Sequence, residues 1–292
     1  MYQLKTAAIL KNCLFKVTPL LSFLFLVLIS NAQIKPTTAE ERLKGMQLRK
    51  EMEKKSLLKE SKFRNIGPTV MSGRVNDIEV NPEDVTEFYV AYASGGLWHT
   101  TNNGQSFTPI FDNEDVMTIG DIAVKWYGSR IIWVGSGEVN SSRSSYAGNG
   151  VYKSGDNGKT WEYLGLPESH HIGKIQLHPT DPNTAWVAAL GHLYSPNKER
   201  GVYKTVDGGK TWRVGVVAGA EKLDFRDVEA FGEETAYLMA AGPGPASRIY
   251  KTIDGGKTWG MQFQCTDKMA FLDSMAFWDK DHGIAMGDPV GG

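Results

Sequence analysis

The residues of this chain that could do chemistry are scattered over loop-like stretches. Residues 135–149 carry an acid, an arginine and a phenol among hydroxyls: Glu138, Arg143 and Tyr146 beside Ser141, Ser142, Ser144 and Ser145. Residues 165–172 add Glu168, His170 and His171, residues 190–200 add His192 and Tyr194, and residues 111–119 add Asp112, Glu114 and Asp115. Arg74 stands near the start of the same region. Paired carboxylates suit acid–base work, and histidines suit metal ligation. A metal site through His170, His171 and His192 is the minor alternative, because neighbouring histidines in a strand point to opposite faces and rarely share an ion. Exposed loop histidines and no metal are the expectation. No Gly-x-Gly-x-x-Gly follows a strand, so no cofactor is expected either.

The elements that must position these loops are set by a repeat. Ser154-Gly-Asp-Asn-Gly-Lys-Thr-Trp161 returns as Thr205-Val-Asp-Gly-Gly-Lys-Thr-Trp212 and as Thr252-Ile-Asp-Gly-Gly-Lys-Thr-Trp259, with a degenerate copy at Thr100-Thr-Asn-Asn-Gly-Gln-Ser-Phe107. Positions 102, 156, 207 and 254 are 54, 51 and 47 residues apart. That period in a chain rich in strand-forming residues predicts propeller blades. Each unit reads as four strands. The first alternates apolar and polar residues, as in Asn76–Val80, Gly120–Val124, Gly173–Leu177 and Arg226–Ala230, and is expected to be half-buried. The eight-residue pattern then forms the turn from strand three to strand four. Its acid (Asp156, Asp207, Asp254, or Asn102) accepts backbone N–H bonds, its fifth-position glycine (Gly104, Gly158, Gly209, Gly256) allows φ > 0, and Trp161, Trp212 or Trp259 packs between blades. These are folding residues rather than chemistry.

The fold expected is therefore all-β: a propeller of four-stranded antiparallel blades over residues 63–292, at about 63–112, 113–166, 167–217 and 218–265, with a partial unit at 266–292. Phe63–Val70 is the candidate for a closing outer strand. With about 4.5 blades visible, the expectation is an arc of a larger ring. The loops joining strands two to three, and each blade to the next, lie on the face opposite the repeated turns. That face is the default ligand site.

Bulk properties bound the setting. The chain has 292 residues and formal net charge −1, which argues against a nucleic-acid binder. Lys5, Lys11 and Lys16 precede an apolar run at Leu20–Ile29, and Ser30-Asn31-Ala32 supplies small residues, so residues 1–32 read as a signal peptide cleaved after Ala32. No membrane span is expected after cleavage. Cys13 falls in that segment, leaving Cys265 without a partner and expected to be a buried small hydrophobe. Residues 33–62 read as a charged helical connector. Thr38 and Glu41 form a capping box, but Leu43, Met46, Leu48, Met52, Leu57 and Leu58 make no clean stripe, so a solvated helix or tether is expected.

The repeated turn resembles the Asp-box, or BNR repeat, of secreted propellers. Phe63–Pro68 and Gly73-Arg74-Val75 resemble the sortilin type. Leu223–Val228, Ala241–Pro245 and His282–Asp288 are similar to the photosystem II assembly and stability factors. The signal peptide, the polar loops and the repeat fold lead to the expectation of an exported, non-enzymatic scaffold that binds an envelope or extracellular protein or glycan, with Arg74, Glu138, Arg143, Tyr146, His170, His171, His192 and Tyr194 as the loop-face candidates. Sialidases and some xyloglucan-cleaving enzymes share such propellers, so glycoside hydrolysis is the alternative. It needs two carboxylates across the bond, for which Glu138 and Asp115 are the best pair. Tyr146 would be a phenol nucleophile, and Arg74 or Arg143 would meet a substrate carboxylate.

Overall fold

The computed structural model describes residues 37–61, 73–140, 145–193 and 198–289. The signal peptide, the candidate closing strand Phe63–Val70, Arg143 and Tyr194 lie outside the described residues. Among the described residues, helix α1 (Ala39–Lys55) precedes strands β1 (Val75–Val80), β2 (Phe88–Tyr92), β3 (Gly96–Thr100) and β4 (Thr108–Pro109). The second sheet holds β5 (Ile119–Lys125), β6 (Ile131–Ser136), β7 (Val151–Ser154) and β8 (Glu162–Tyr163), and the third holds β9 (Ile172–Leu177), β10 (Ala185–Ala189), β11 (Gly201–Thr205) and β12 (Arg213–Gly215). The fourth holds β13 (Asp224–Phe231), β14 (Thr235–Ala241), β15 (Arg248–Thr252) and β16 (Gly260–Gln264), and β17 (Leu272–Asp279) pairs with β18 (His282–Gly287). Every pairing is antiparallel between consecutive strands, so each sheet is a meander. First strands pack on first strands: β1 on β5, β5 on β9, β9 on β13 and β13 on β17. This is the blade architecture of a β-propeller.

The sheets stack through their faces. Ala123, Trp133, Val151 and Leu164 of the second sheet meet Ile172, Ile175, Ala185 and Val187 of the third in one buried cluster. Equivalent clusters join the first sheet to the second and the third to the fourth. The expected half-burial of the first strands is therefore corrected for β5, where Ile119–Ala123 are all buried. Its two faces are covered by the preceding and the following sheet. Cys265 is 8% exposed and packs with Tyr237, Met239, Leu272 and Met275, as a small hydrophobe would.

Each repeated turn is held by one hydrogen-bond set. In the third sheet Thr205 Oγ1 donates to Asp207 Oδ1 (2.8 Å) and accepts from Gly209 N (2.9 Å). Asp207 accepts from Thr211 N (2.9 Å) and Thr211 Oγ1 (2.6 Å). The sets around Asp156 and Asp254 match it. In the degenerate copy Asn102 Oδ1 still accepts from Ser106 N (3.0 Å), while its amide donates to Ser106 Oγ (2.9 Å). Fourth and fifth positions both take the left-handed conformation, with φ 64° and 79° at Asn157 and Gly158 and 77° and 92° at Gly208 and Gly209. The fifth glycine is also pressed on the preceding sheet: a Cβ on Gly209 would lie 2.5 Å from Leu164 Cδ1. The indoles follow, with Trp161 Nε1 donating to Ile110 O (2.8 Å) and Trp212 Nε1 to Leu164 O (2.9 Å) across the sheet boundary.

Two outcomes follow. Gly209→Val combines a left-handed backbone with an overpacked contact, so it is expected to cost about 2–5 kcal/mol, read from the urea midpoint at unchanged m. Threonine hydrogen bonds hold the Asp156 and Asp207 carboxyls down at about 2. A depressed carboxyl stabilises the fold above its unfolded value and loses that contribution as pH falls through the folded one. Asp156→Asn with Asp207→Asn is expected to fold, since Asn102 serves the same turn, and to show a flatter fall in Tm between pH 4 and pH 2.

Candidate functional site

The loop face opposite the repeated turns is built around two glycines and a histidine. Gly137, at φ 94°, would place a Cβ 1.9 Å from His170 O. Gly148 N donates to the same carbonyl (2.6 Å), and Gly137 N donates to Thr118 O (2.9 Å). Only glycine permits this approach, and it ties loops 111–119, 135–149 and 165–171 together. Between them lies Glu138, fully buried. Its Oε1 accepts from Arg74 Nη2 (2.5 Å) and Asn140 N (2.9 Å), and its Oε2 accepts from Ser145 Oγ. Those bonds outweigh burial and hold its carboxyl below the usual range.

The histidines depart from expectation. His170 and His171 are 6% and 4% exposed, not surface groups, and they follow the short 3-10 turn Pro167–Ser169 rather than lying in a strand. They still diverge. His171 Nδ1 donates to Glu138 O (2.7 Å), whereas the His170 ring meets that of His192 edge-on at 4.1 Å. Burial pushes His171 down to about 4 and His170 to about 3, so both are neutral at neutral pH. His170 has φ 52° and ψ −48°, a sparsely populated backbone conformation. Tyr146 is 63% exposed at the rim.

α1 is largely exposed, as a solvated helix would be, with only Ala39 buried, but it is tied to the loop face by polar contacts. Its capping box forms as read, and Ala39 N donates to Glu168 Oε1 (2.7 Å). Arg42 donates to Gly148 O and Pro167 O (both 2.5 Å) and to His170 Nε2 (3.2 Å). Met46 Sδ accepts from Asn149 Nδ2 (3.4 Å), while Arg49 and Lys50 bind Asp115 at 2.8 and 3.0 Å. The docking stripe is polar, which is why hydrophobic periodicity does not reveal it. Asp115, with its side chain 4% exposed, is thus spent on the helix rather than facing Glu138.

A second cluster went unassigned in the sequence. Asp77, Asp121 and Asp227 hold one position of the first strands β1, β5 and β13. Each accepts from the next sheet's first strand: Ile122 N at 3.2 Å, Ile175 N at 2.7 Å and Met275 N at 2.9 Å. The third sheet has Lys174 there, bound to Asp121 Oδ1 at 3.3 Å. Burial pushes Asp121 and Asp227 up, and burial with Asp77 beside it raises Glu79 to about 7. The recurrence of an acid at one repeat position was the available signal. These carboxylates join sheets and are accounted for structurally.

The fold and this face define a β-propeller with a strapped loop surface. No family model matches the chain. Over 144 residues it is 26% identical to a probable oligoxyloglucan-reducing end-specific xyloglucanase of Neosartorya fischeri, covering 48% of this chain and 16% of that one. Over 119 residues it is 29% identical to the Emericella nidulans enzyme of that name, covering 40% and 14%. The chain therefore spans less than a fifth of the length of these curated relatives. Among solved structures, the GH74 xyloglucanase of Xanthomonas campestris aligns over 75% of this chain and 34% of its own at 16% identity (TM-score 0.54). YCF48 from Cyanidioschyzon merolae aligns over 76% and 69% at 16% identity (TM-score 0.51). At those identities the structural likeness shows the fold alone. Among the described residues no helix is long and apolar enough to cross a membrane.

Asp115 is the hinge of the strap's second half. Asp115→Ala is expected to speed tryptic cleavage within Arg49–Lys55 about tenfold. The sheets should unfold within about 1 kcal/mol of wild type, because Arg49 and Lys50 are themselves half-exposed.

Proposed function

We propose that the chain is an exported, non-enzymatic propeller that binds a protein or glycan of the envelope or extracellular space through its loop face. The reading takes the repeated turns as Asp-box repeats of the sortilin and photosystem II factor kind, with neither nucleic acid nor a membrane span involved. The observation that carries it is the state of the two carboxylates best placed for chemistry. A glycosidase needs one acid that keeps its proton and one carboxylate. Glu138 is held ionised by Arg74, Asn140 and Ser145, and Asp115 is bound by Arg49 and Lys50. A polar, ion-paired surface that carries Tyr146 and Arg74 suits recognition.

Glycoside hydrolysis is the second reading. The stretch similar to the xyloglucanases favours it, as does Glu114, whose carboxyl is raised by burial and then by Asp115 beside it. The test exposes the mature protein to an array of envelope and plant glycans and to envelope extract, with reducing ends followed in parallel. Capture weakened about tenfold by Arg74→Ala, with no release of reducing ends, is the expected result. Turnover of a xyloglucan oligosaccharide that disappears in Glu138→Gln would overturn it in favour of the enzyme.

A further inference from the structure

Glu168, His170 and His192 meet at one point of the loop face. Each offers a ligand atom, and the three atoms lie within 4.8 Å of one another. Glu168 Oε2 and His170 Nε2 are 3.4 Å apart. That matches the edge, about 3.4 Å, of a tetrahedron whose nitrogen and oxygen vertices lie about 2.0–2.1 Å from a zinc ion. The arrangement is built rather than incidental. Glu168 is oriented by the Ala39 N–H on its other oxygen, an outer contact of the kind that fixes ligand carboxylates. His170 is held in its rare backbone conformation by Gly137 and Gly148, and strain of that kind gathers at functional positions.

The point where these three side chains converge already meets a cation from within the chain. Arg42 Nη2 lies 3.2 Å from His170 Nε2 and 3.8 Å from Glu168 Oε2. A guanidinium donating into the His170 lone pair uses the electrons that an ion would use, and its charge repels one. His171 takes no part, since its Nδ1 is committed to Glu138 O.

We propose that Glu168, His170 and His192 form a site for a divalent ion of the zinc class, with Arg42 as its tethered competitor. Three protein ligands leave a fourth position for water or for a donor from a bound molecule, the pattern of exchangeable rather than purely structural zinc. Filling the site displaces Arg42 from His170 and weakens the first half of the strap, which hangs on Arg42 through Gly148 O and Pro167 O. The inference stands apart from the glycan- or protein-binding reading, since it concerns the ion alone.

The test is calorimetric titration of zinc into the chelator-treated full chain, with cobalt(II) as the spectroscopic probe. One equivalent is expected to bind, with cobalt giving the visible bands of a low-coordinate nitrogen–oxygen site. Arg42→Ala should tighten binding about tenfold, since a competing charge is gone. His192→Ala and Glu168→Gln should abolish it, and His282→Ala, at the exposed start of β18, should leave it unchanged. Zinc should also speed tryptic cleavage after Arg42 in the wild type. Circular dichroism separates a lost ligand from a lost fold, and the cobalt spectrum of the unmutated chain needs no variant. Zinc affinity indifferent to His192→Ala, or no binding by Arg42→Ala, would overturn the proposal.

Discussion

The structure depends on a turn in which hydrogen bonding within a sheet and packing between sheets fall on the same eight residues. A four-stranded meander has two apolar faces and cannot bury either alone. It gains stability only by stacking, so the blade-to-blade contact decides the fold. The turn serves both needs. Its acid and hydroxyls close the hairpin, its fifth glycine lets the preceding sheet approach, and in the second and third sheets its indole donates to a backbone carbonyl of the preceding sheet. The outer strands can then be as short as Thr108–Pro109 and Glu162–Tyr163, because the turn holds them and little open edge remains.

The inner margin of the stack has a matching device. Asp77, Asp121 and Asp227 each reach a backbone N–H of the next sheet, so β1 is joined to β5, β5 to β9 and β13 to β17 by carboxylate-to-backbone bonds. A run of carboxylates on neighbouring strands would repel itself. Lys174 relieves this in the third sheet, next to Asp121 and within the field of Asp77 and Asp227, while β17 has the uncharged Ser274 at the equivalent position. The lysine is pushed up by those acids and stays charged, so the exception in the repeat neutralises the rule.

This division explains what could be read from the sequence. The blades were legible because turn chemistry is local: φ > 0 positions, an Asx acceptor and a hydroxyl four residues further on recur at fixed offsets, and strand alternation is likewise local. The loop face was legible only as an inventory. That Glu138 is fully buried, or that His170 and His171 part company, depends on Gly137 and Gly148 letting three loops meet, a contact over 22 to 33 residues of chain. Nothing in a pattern of hydrophobicity shows that α1 folds back, because the residues it uses, Ala39, Arg42, Met46, Arg49 and Lys50, follow helical spacing in polar rather than apolar side chains.

That polar stripe sets the electrostatics of the whole loop face. Glu168 and Asp115 lie at two ends of the surface that α1 crosses, and the helix brings one cation to the first and two to the second. Arg74 does the same for Glu138 from the start of β1's lead-in. Glu168, Asp115 and Glu138 are thereby matched by cations from a segment N-terminal to the second sheet. The charge balance of the surface is therefore a property of how the leading segment lies on it. A ligand that engages these acids must either bring its own cation or accept the arginines as part of the site, and the face changes character when the leading segment lifts.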